Sequence, residues 1–299
     1  TYENYYIESV WWLLHNLYSQ GLIYKGYTIQ PYSPAAGTGL SSHELNMPGC
    51  YRDVKDTTVT AMFRMTSPQG AFKTDWGETF FMAWTTTPWT LPSNTALCVG
   101  PKIDYVLVNT FNPYTSQPIS VVMAEARIAS YFNPAGAEAT MENYEKGGKI
   151  LPYRVVAHFK GTDLEGLKYE QLFAYVNPGE GAFRVILGDY VSTEDGTGIV
   201  HCAPAFGEDD ARVGKRYDLP FVQLVDSNGN MTEETPYSGK FVKDADPLVL
   251  TGLDKKGLLF DAPKFEHDYP HCWRCDTPLI YYARESWFIK MTAVKDDLI

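Results

Sequence analysis

No stretch of the 299-residue sequence is apolar for long enough to cross a membrane as a helix. Such a span needs roughly 18 uninterrupted apolar residues, and the best candidate, "VWWLLHNLY" from Val10, is broken by His15 and Asn16. Basic residues are scarce as well. With 25 Lys and Arg against 36 Asp and Glu the formal charge is −11, which argues against a protein that grips nucleic acid over its whole surface, because neutralising phosphates takes clustered cations. Any contact with nucleic acid is expected to be local. The five cysteines, with one close pair at Cys272 and Cys275, do not make a disulfide framework and point to a reducing compartment, the cytoplasm being the simplest reading. The opening "TYENYY" has no basic start or cleavage site, so no secretory leader is expected. Neither a "GxxxxGK" loop nor a "GxGxxG" fingerprint is present.

What is there is a β-rich chain with 44% apolar residues, ample for a core. From Asn4 to Gln20, Ile7, Val10, Trp11, Leu14, Leu17 and Tyr18 recur at helical spacing and Gly21 follows as a stop. Many short strand-like runs come next, among them "TTVTAMFRM", "TFFMAWTTT", "TALCVG", "DYVLVNT", "ISVVMAEA" and "TGIVHCAP". Turn signals such as "SPQG" and "NPGEG" separate them, a density that predicts a curved sheet or closed β-barrel with short peripheral helices, an α+β fold. Two such helices are expected at "GEDDARVGKRYDLP" and "DADPLVLTGLDKKG". Weak boundaries near Tyr51 and Lys264 divide the chain into an N-terminal stem (1–50), a central domain (51–263) and a C-terminal stem (264–299).

Three features carry possible chemistry. "HCWRC" offers two thiolates, half of a tetrahedral zinc site, but no second pair completes it, so unliganded thiols are expected. "GTGIVHCAPAFGEDD", Gly196–Asp210, puts His201 near a strand end and three acids at a helix start. Acids there are ordinarily caps, yet a strand–turn–helix junction is also where a carboxylate meets a cationic ligand. "WTTTPWTLPSN", Trp84–Asn94, closes a strand with three threonines. Threonine favours strands, and alternation places Thr85 and Thr87 on one side and Thr86 on the other. None of these side chains is a nucleophile poised beside a base.

Taken together, "WTTTPWTLPSNTA" and "GTGIVHCAPAFGEDD" resemble the editing insertion (connective polypeptide 1) of the isoleucyl-tRNA synthetases. The flanking "YTIQPYSPAAGTGLSSHEL" and "HCWRCDTPLIYYARESWFIKMT" resemble the stems joining that insertion to a catalytic core, so the likeness covers nearly the whole chain. Related valyl and leucyl insertions typically place an arginine after two threonines, where this chain has Thr87. The resemblance implies hydrolysis of the ester in mischarged valyl-tRNA(Ile), with the acceptor end of the tRNA and the rest of a synthetase polypeptide as partners. The longer enzyme would use ATP and Mg2+, but neither a "HIGH" nor a "KMSKS" signature occurs here, and editing itself needs no cofactor. In the implied site Asp210 binds the α-ammonium and His201 walls the side-chain pocket. Thr85, Thr86, Thr87 and Thr90 hold adenosine, ester and water, while Trp89 and Asn94 brace the wall. Many relatives carry a Cys-x-x-Cys where this chain reads "SPAA", Ser33–Ala36, so their four-thiolate zinc site is not expected. The contrasting expectation is a non-catalytic insertion that merely docks the acceptor end.

Overall fold

The structure, a computed structural model, describes residues 1–142 and 144–298. Helix α1 (Asn4–Ser19) leads into the long strand β1 (Ile23–Ser33), the two-residue β2 (Thr38–Gly39) and a single helical turn, α2 (Ser42–Leu45). β3 (Tyr51–Thr57) runs into β4 (Val59–Arg64), followed by β5 (Glu78–Thr85), β6 (Ala96–Val99), β7 (Asp104–Phe111) and β8 (Pro118–Ala124). One turn, α3 (Ile128–Tyr131), precedes β9 (Arg154–Lys160), and another, α4 (Gly161–Leu164), precedes β10 (Arg184–Leu187) and β11 (Ile199–Cys202). Helices α5 (Glu208–Arg216) and α6 (Val242–Lys255) come before β12 (Leu259–Asp261), β13 (Lys264–Pro270) and β14 (Ile280–Ile289).

These strands form three sheets. β14, β1 and β2 make one; β3 and β13 make a two-stranded ribbon; β4 to β12 make a nine-stranded sheet. Within the last, β5 is the hub. It pairs antiparallel with β4 along one edge and parallel with β8 and then β11 along the other. Its sequence explains this: Phe81 and Ala83 pack into one apolar core, Phe80 and Met82 into a second on the opposite face. A period-2 strand that is apolar on both faces belongs in the middle of a sheet.

Around the larger core the sheet closes. β4 pairs with β5, β5 with β11, β11 with β6 and β6 with β10. The segment at Lys168 and Tyr169 then bridges Arg184 of β10 to Met65 just past β4. Thr66 N–H donates to the Lys168 carbonyl and Glu170 N–H to the Arg64 carbonyl, both at 2.8 Å, which leaves this side of the barrel without an open edge. Phe63 and Tyr169 meet edge-to-face inside it.

Gly198 shows why "GTGIVH" reads as it does. Its φ of +74° lies in the left-handed region, and a Cβ there would sit 2.4 Å from Ala124 Cβ, so only glycine lets β11 enter beside β8. No helix among the described residues is long and apolar enough to cross a membrane.

Candidate functional site

The threonine strap and β11 meet at the barrel's end. β5 finishes at Thr85, and Pro88–Ser93 forms a short 3-10 turn whose residues are all buried. Pro88 at its first position has no N–H to satisfy and sets the backbone angle for the turn. Alternation does place Thr85 and Thr87 on one side, with their hydroxyls 3.2 Å apart; Thr85 Oγ1 also accepts the Thr87 N–H at 3.1 Å. Thr87 Oγ1 lies 3.4 Å from Thr90 Oγ1, which donates to the Thr87 carbonyl at 2.8 Å.

From Thr90 the network crosses to β11. Thr90 Oγ1 is 2.8 Å from His201 Nε2, and Asn94 Nδ2 is 3.2 Å from His201 Nδ1. The Asn94 amide is oriented by its other partners. Its Nδ2 donates to the Ala96 carbonyl at 2.8 Å, and its Oδ1 accepts from Tyr169 OH at 2.6 Å. An amide nitrogen only donates, so His201 Nδ1 is the acceptor and Nε2 carries the proton, which it donates to Thr90 Oγ1. The one lone pair of the neutral ring is therefore occupied. Burial pushes the imidazole down to about 4, so it is neutral near pH 7 and has no free nitrogen to take a proton from water.

Trp89 and the acids frame this network differently. The Trp89 ring is buried edge-to-face on Phe206, and its backbone N–H donates to Asp246 Oδ1 of α6 at 2.9 Å. Asp210, in the first turn of α5, accepts the Ala203 N–H at 2.9 Å and Tyr190 OH at 3.2 Å. No cation pairs with it among the described residues, and burial raises its carboxyl above the usual range. Cys202 packs toward α5 in the cluster with Val213, while His201, its neighbour in β11, faces the strap. His201 and Asp210 thus flank the end of one strand from different sides.

Of the residues expected in the site, the structure joins Thr85, Thr87, Thr90, Asn94 and His201 in one hydrogen-bonded chain. Trp89 lies within the same turn but bonds outside that chain, its backbone N–H going to Asp246. Thr86 is half-buried and takes no part in it, and Asp210 stands beside it without a direct bond. Tyr169, Tyr190 and Asp246 escaped the sequence reading. Nothing distinguished "LKYEQ" or "GDYV" from ordinary strand sequence, and "DADP" looks like a solvated helix start.

The turn at Ser33–Ala36, beside Cys275, shows why zinc does not fit. Ser33 Oγ lies 3.4 Å from Cys275 Sγ and accepts the Ala36 N–H at 3.2 Å, the pose of a metal knuckle with a hydroxyl for one thiolate and a methyl for the other. The Ser33 hydroxyl, with that of Thr277, lowers the Cys275 thiol to about 7. Two thiols remain, fewer than a structural zinc site requires, and no group of three or more His, Cys, Asp or Glu is gathered for a metal among the described residues.

Comparison with known proteins places this architecture. The family profile described as tRNA synthetases class I (I, L, M and V) matches residues 1–299. An isoleucine–tRNA ligase of Bacteroides fragilis is 54% identical over 338 aligned residues, which take in 100% of this chain and 30% of the relative. That of Porphyromonas gingivalis is 51% identical, with the same coverages. The chain thus spans about 30% of the length of these curated relatives. Among solved structures, the P. knowlesi cytosolic leucyl-tRNA synthetase editing domain superposes with a TM-score of 0.50 at 12% identity, over 70% of this chain and 96% of that one. The P. falciparum counterpart gives 0.50 at 13%, over 70% and 99%. At such identities the likeness is one of fold.

Proposed function

The chain belongs to the class I aminoacyl-tRNA synthetases of the isoleucine, leucine, methionine and valine group, and from that premise we propose that it is the editing domain of an isoleucine–tRNA ligase. Residues 51–263 form the domain proper, the β3–β13 ribbon marks its junction, and 1–50 and 264–299 are stems toward the remainder of a longer, cytoplasmic enzyme. The reaction is hydrolysis of valyl-tRNA(Ile). Water adds to the ester carbonyl, the bond to the terminal ribose oxygen breaks, and valine and the free tRNA hydroxyl leave. A synthetic pocket distinguishes one methylene by only about 10–200-fold, a limit for which the isoleucyl enzymes are the standard illustration. A second pocket too small for isoleucine removes the error.

One observation carries this reading: the buried chain from Thr87 through Thr90, His201 and Asn94 to Tyr169. It locks an imidazole as a neutral wall rather than a base, which suits a size filter. The hydroxyls of Thr85, Thr86 and Thr87 remain to hold water, ester and ribose, and an ester needs no protein nucleophile when water is well placed. Asp210, a carboxylate with no cationic partner among the described residues, receives the α-ammonium in a charge-assisted bond. ATP and Mg2+ belong to the synthetic reaction of the longer protein, and no step here passes through them.

The test is deacylation of valyl- and isoleucyl-tRNA(Ile) by the chain and by Asp210→Ala. The valyl ester should be cleaved selectively. Asp210→Ala should lose roughly 10- to 100-fold, the worth of one hydrogen bond to a charged group, with an unchanged far-UV spectrum. Ester lifetimes equal to those in buffer would leave a docking insertion as the reading instead.

A further inference from the structure

We infer that Asp246 is a positioning residue of this site: its carboxylate holds the Trp89 backbone N–H and so fixes the turn that carries the hydroxyls of Thr87 and Thr90. The inference rests on the editing reading for its catalytic consequence. Its geometry stands independently. Pro88 has no N–H, so Trp89 supplies the first free donor at the start of the 3-10 turn, where no intrahelical acceptor is available. Asp246 Oδ1 meets it at 2.9 Å. The Trp89 ring is buried edge-to-face on Phe206 on the other side, so one hydrogen bond to α6 and one packed ring hold the strap between α6 and the barrel.

The surroundings of Asp246 are built to keep it there. Lys243, one turn earlier on α6, is bonded to Asp56 of β3 at 2.7 Å and lies over the Tyr269 ring of β13 at 4.4 Å. His267 Nε2 stands 3.3 Å from the same Asp56 oxygen, and Lys264 is bonded to Thr57. With Lys55 these are the charged and titratable groups that face Asp246 from its own helix and from the ribbon. Lys243 is engaged by Asp56, and among the described residues Asp246 has no close ion-pair partner. Burial raises its carboxyl to about 7, against the opposing pull of Lys243. A half-protonated acceptor near neutrality holds an N–H less firmly than a carboxylate does, so strap order should follow the ionisation of Asp246.

A purely structural acceptor would behave otherwise, and two variants separate the cases. Asp246→Asn keeps an oxygen for the Trp89 N–H but has no ionisation; Asp246→Ala removes the acceptor. Asp246→Ala should lower valyl-tRNA(Ile) deacylation about tenfold through kcat, the effect of one missing hydrogen bond on a reacting geometry. Asp246→Asn should stay within about threefold of wild type at pH 8 by the same argument, and should lack the decline on the acid side of 7. The contact is read separately by selective 15N labelling of the seven tryptophans. The Trp89 amide should titrate with a midpoint near 7 in the wild type and stay flat in Asp246→Asn. A fully active Asp246→Ala, an Asp246→Asn as impaired as Asp246→Ala, or a Trp89 amide indifferent to pH overturns the inference. A wild-type chain that leaves the ester untouched overturns the editing reading and the catalytic part of this one, while the amide titration still decides the contact.

Discussion

Strand β5 and helix α1 have comparable apolar content and opposite fates. Phe80, Phe81, Met82 and Ala83 of β5 are all buried, whereas Trp11, Trp12 and Leu13 of α1 are 67%, 64% and 56% exposed. No residue of α1 is buried. Both elements form where sequence periodicity places them, so local propensity is not the difference. β5 has neighbours from this chain along both edges and both faces; α1 rests on little more than β1, with Leu14 and Leu17 half-buried. The barrel holds its residues through contacts the chain itself supplies, while the stem presents apolar surface that the chain leaves uncovered. Apolar patches of that kind ordinarily mark a surface that meets something else.

The stem is therefore the region most open to stabilisation from outside, and the largest effect is expected there. Ser33→Cys with Ala36→Cys restores four thiols around a knuckle whose backbone pose is already in place, with Ser33 Oγ 3.4 Å from Cys275 Sγ. Structural zinc sites in small peptides bind with apparent energies of about 10–16 kcal/mol. The double variant should retain one zinc per chain through gel filtration and melt at higher temperature, whereas the parent should retain substantially less. If the variant elutes without metal, the knuckle geometry assigned to Ser33–Ala36 is wrong.

In the barrel the corresponding change loosens rather than tightens. His201→Ala removes the ring held by Thr90 and Asn94 and opens more than the space needed for the extra methylene of isoleucine. One methylene is worth about 1–3 kcal/mol of discrimination, so isoleucyl-tRNA(Ile) should become a substrate, with its cleavage rate rising roughly 10- to 100-fold by that measure. Continued rejection of the isoleucyl ester would put the size filter on other residues.

Much of the fold was legible because the barrel strands carry clear signals. β5 and β11 are bounded by turn chemistry, α5 starts in acids, and α1 and α6 run out toward Gly21 and Gly257, both at positive φ. The pairing of Thr85 with Thr87 follows from strand alternation alone. Other features had no such signal. The strands of the ribbon, "YRDVKDT" and "KFEHDYP", are largely polar, and their pairing register is set over more than two hundred residues of intervening chain. Tyr169 reaches Asn94 only because the barrel closes through its segment, and Asp246 reaches Trp89 only because α6 packs on the strap. Such contacts are products of tertiary closure, which local pattern does not encode. The two motifs were recognised as one site by resemblance, but that His201 and Asp210 lie on different sides of β11 comes from the structure.

The smallest net effect in the wild-type chain is expected with pH, because the shifts of opposing groups offset one another there. Burial moves His201 from 6.5 to about 4. Between those values the unfolded chain takes a proton that the folded chain refuses, so the stability from the neutral ring is full above 6.5 and is lost as pH falls toward 4. The loss by pH 4.5 is about 2–3 kcal/mol at 1.36 kcal/mol per pKa unit. Asp246 runs the other way. Its carboxyl is raised from 3.8 to about 7, so there the folded chain holds the extra proton and stability increases as pH falls through that window. Asp210, raised by burial, adds in the same sense. The wild-type profile should consequently be flatter than either group alone would make it. Denaturant unfolding of wild type and His201→Gln at pH 7 and pH 4.5 isolates the imidazole: the stability of wild type relative to the variant should shrink by about 2–3 kcal/mol on acidification. A difference that stays constant would mean that His201 takes up its proton as readily in the folded chain as in the unfolded one, and the buried imidazole that refuses a proton down to about pH 4 would have to be given up.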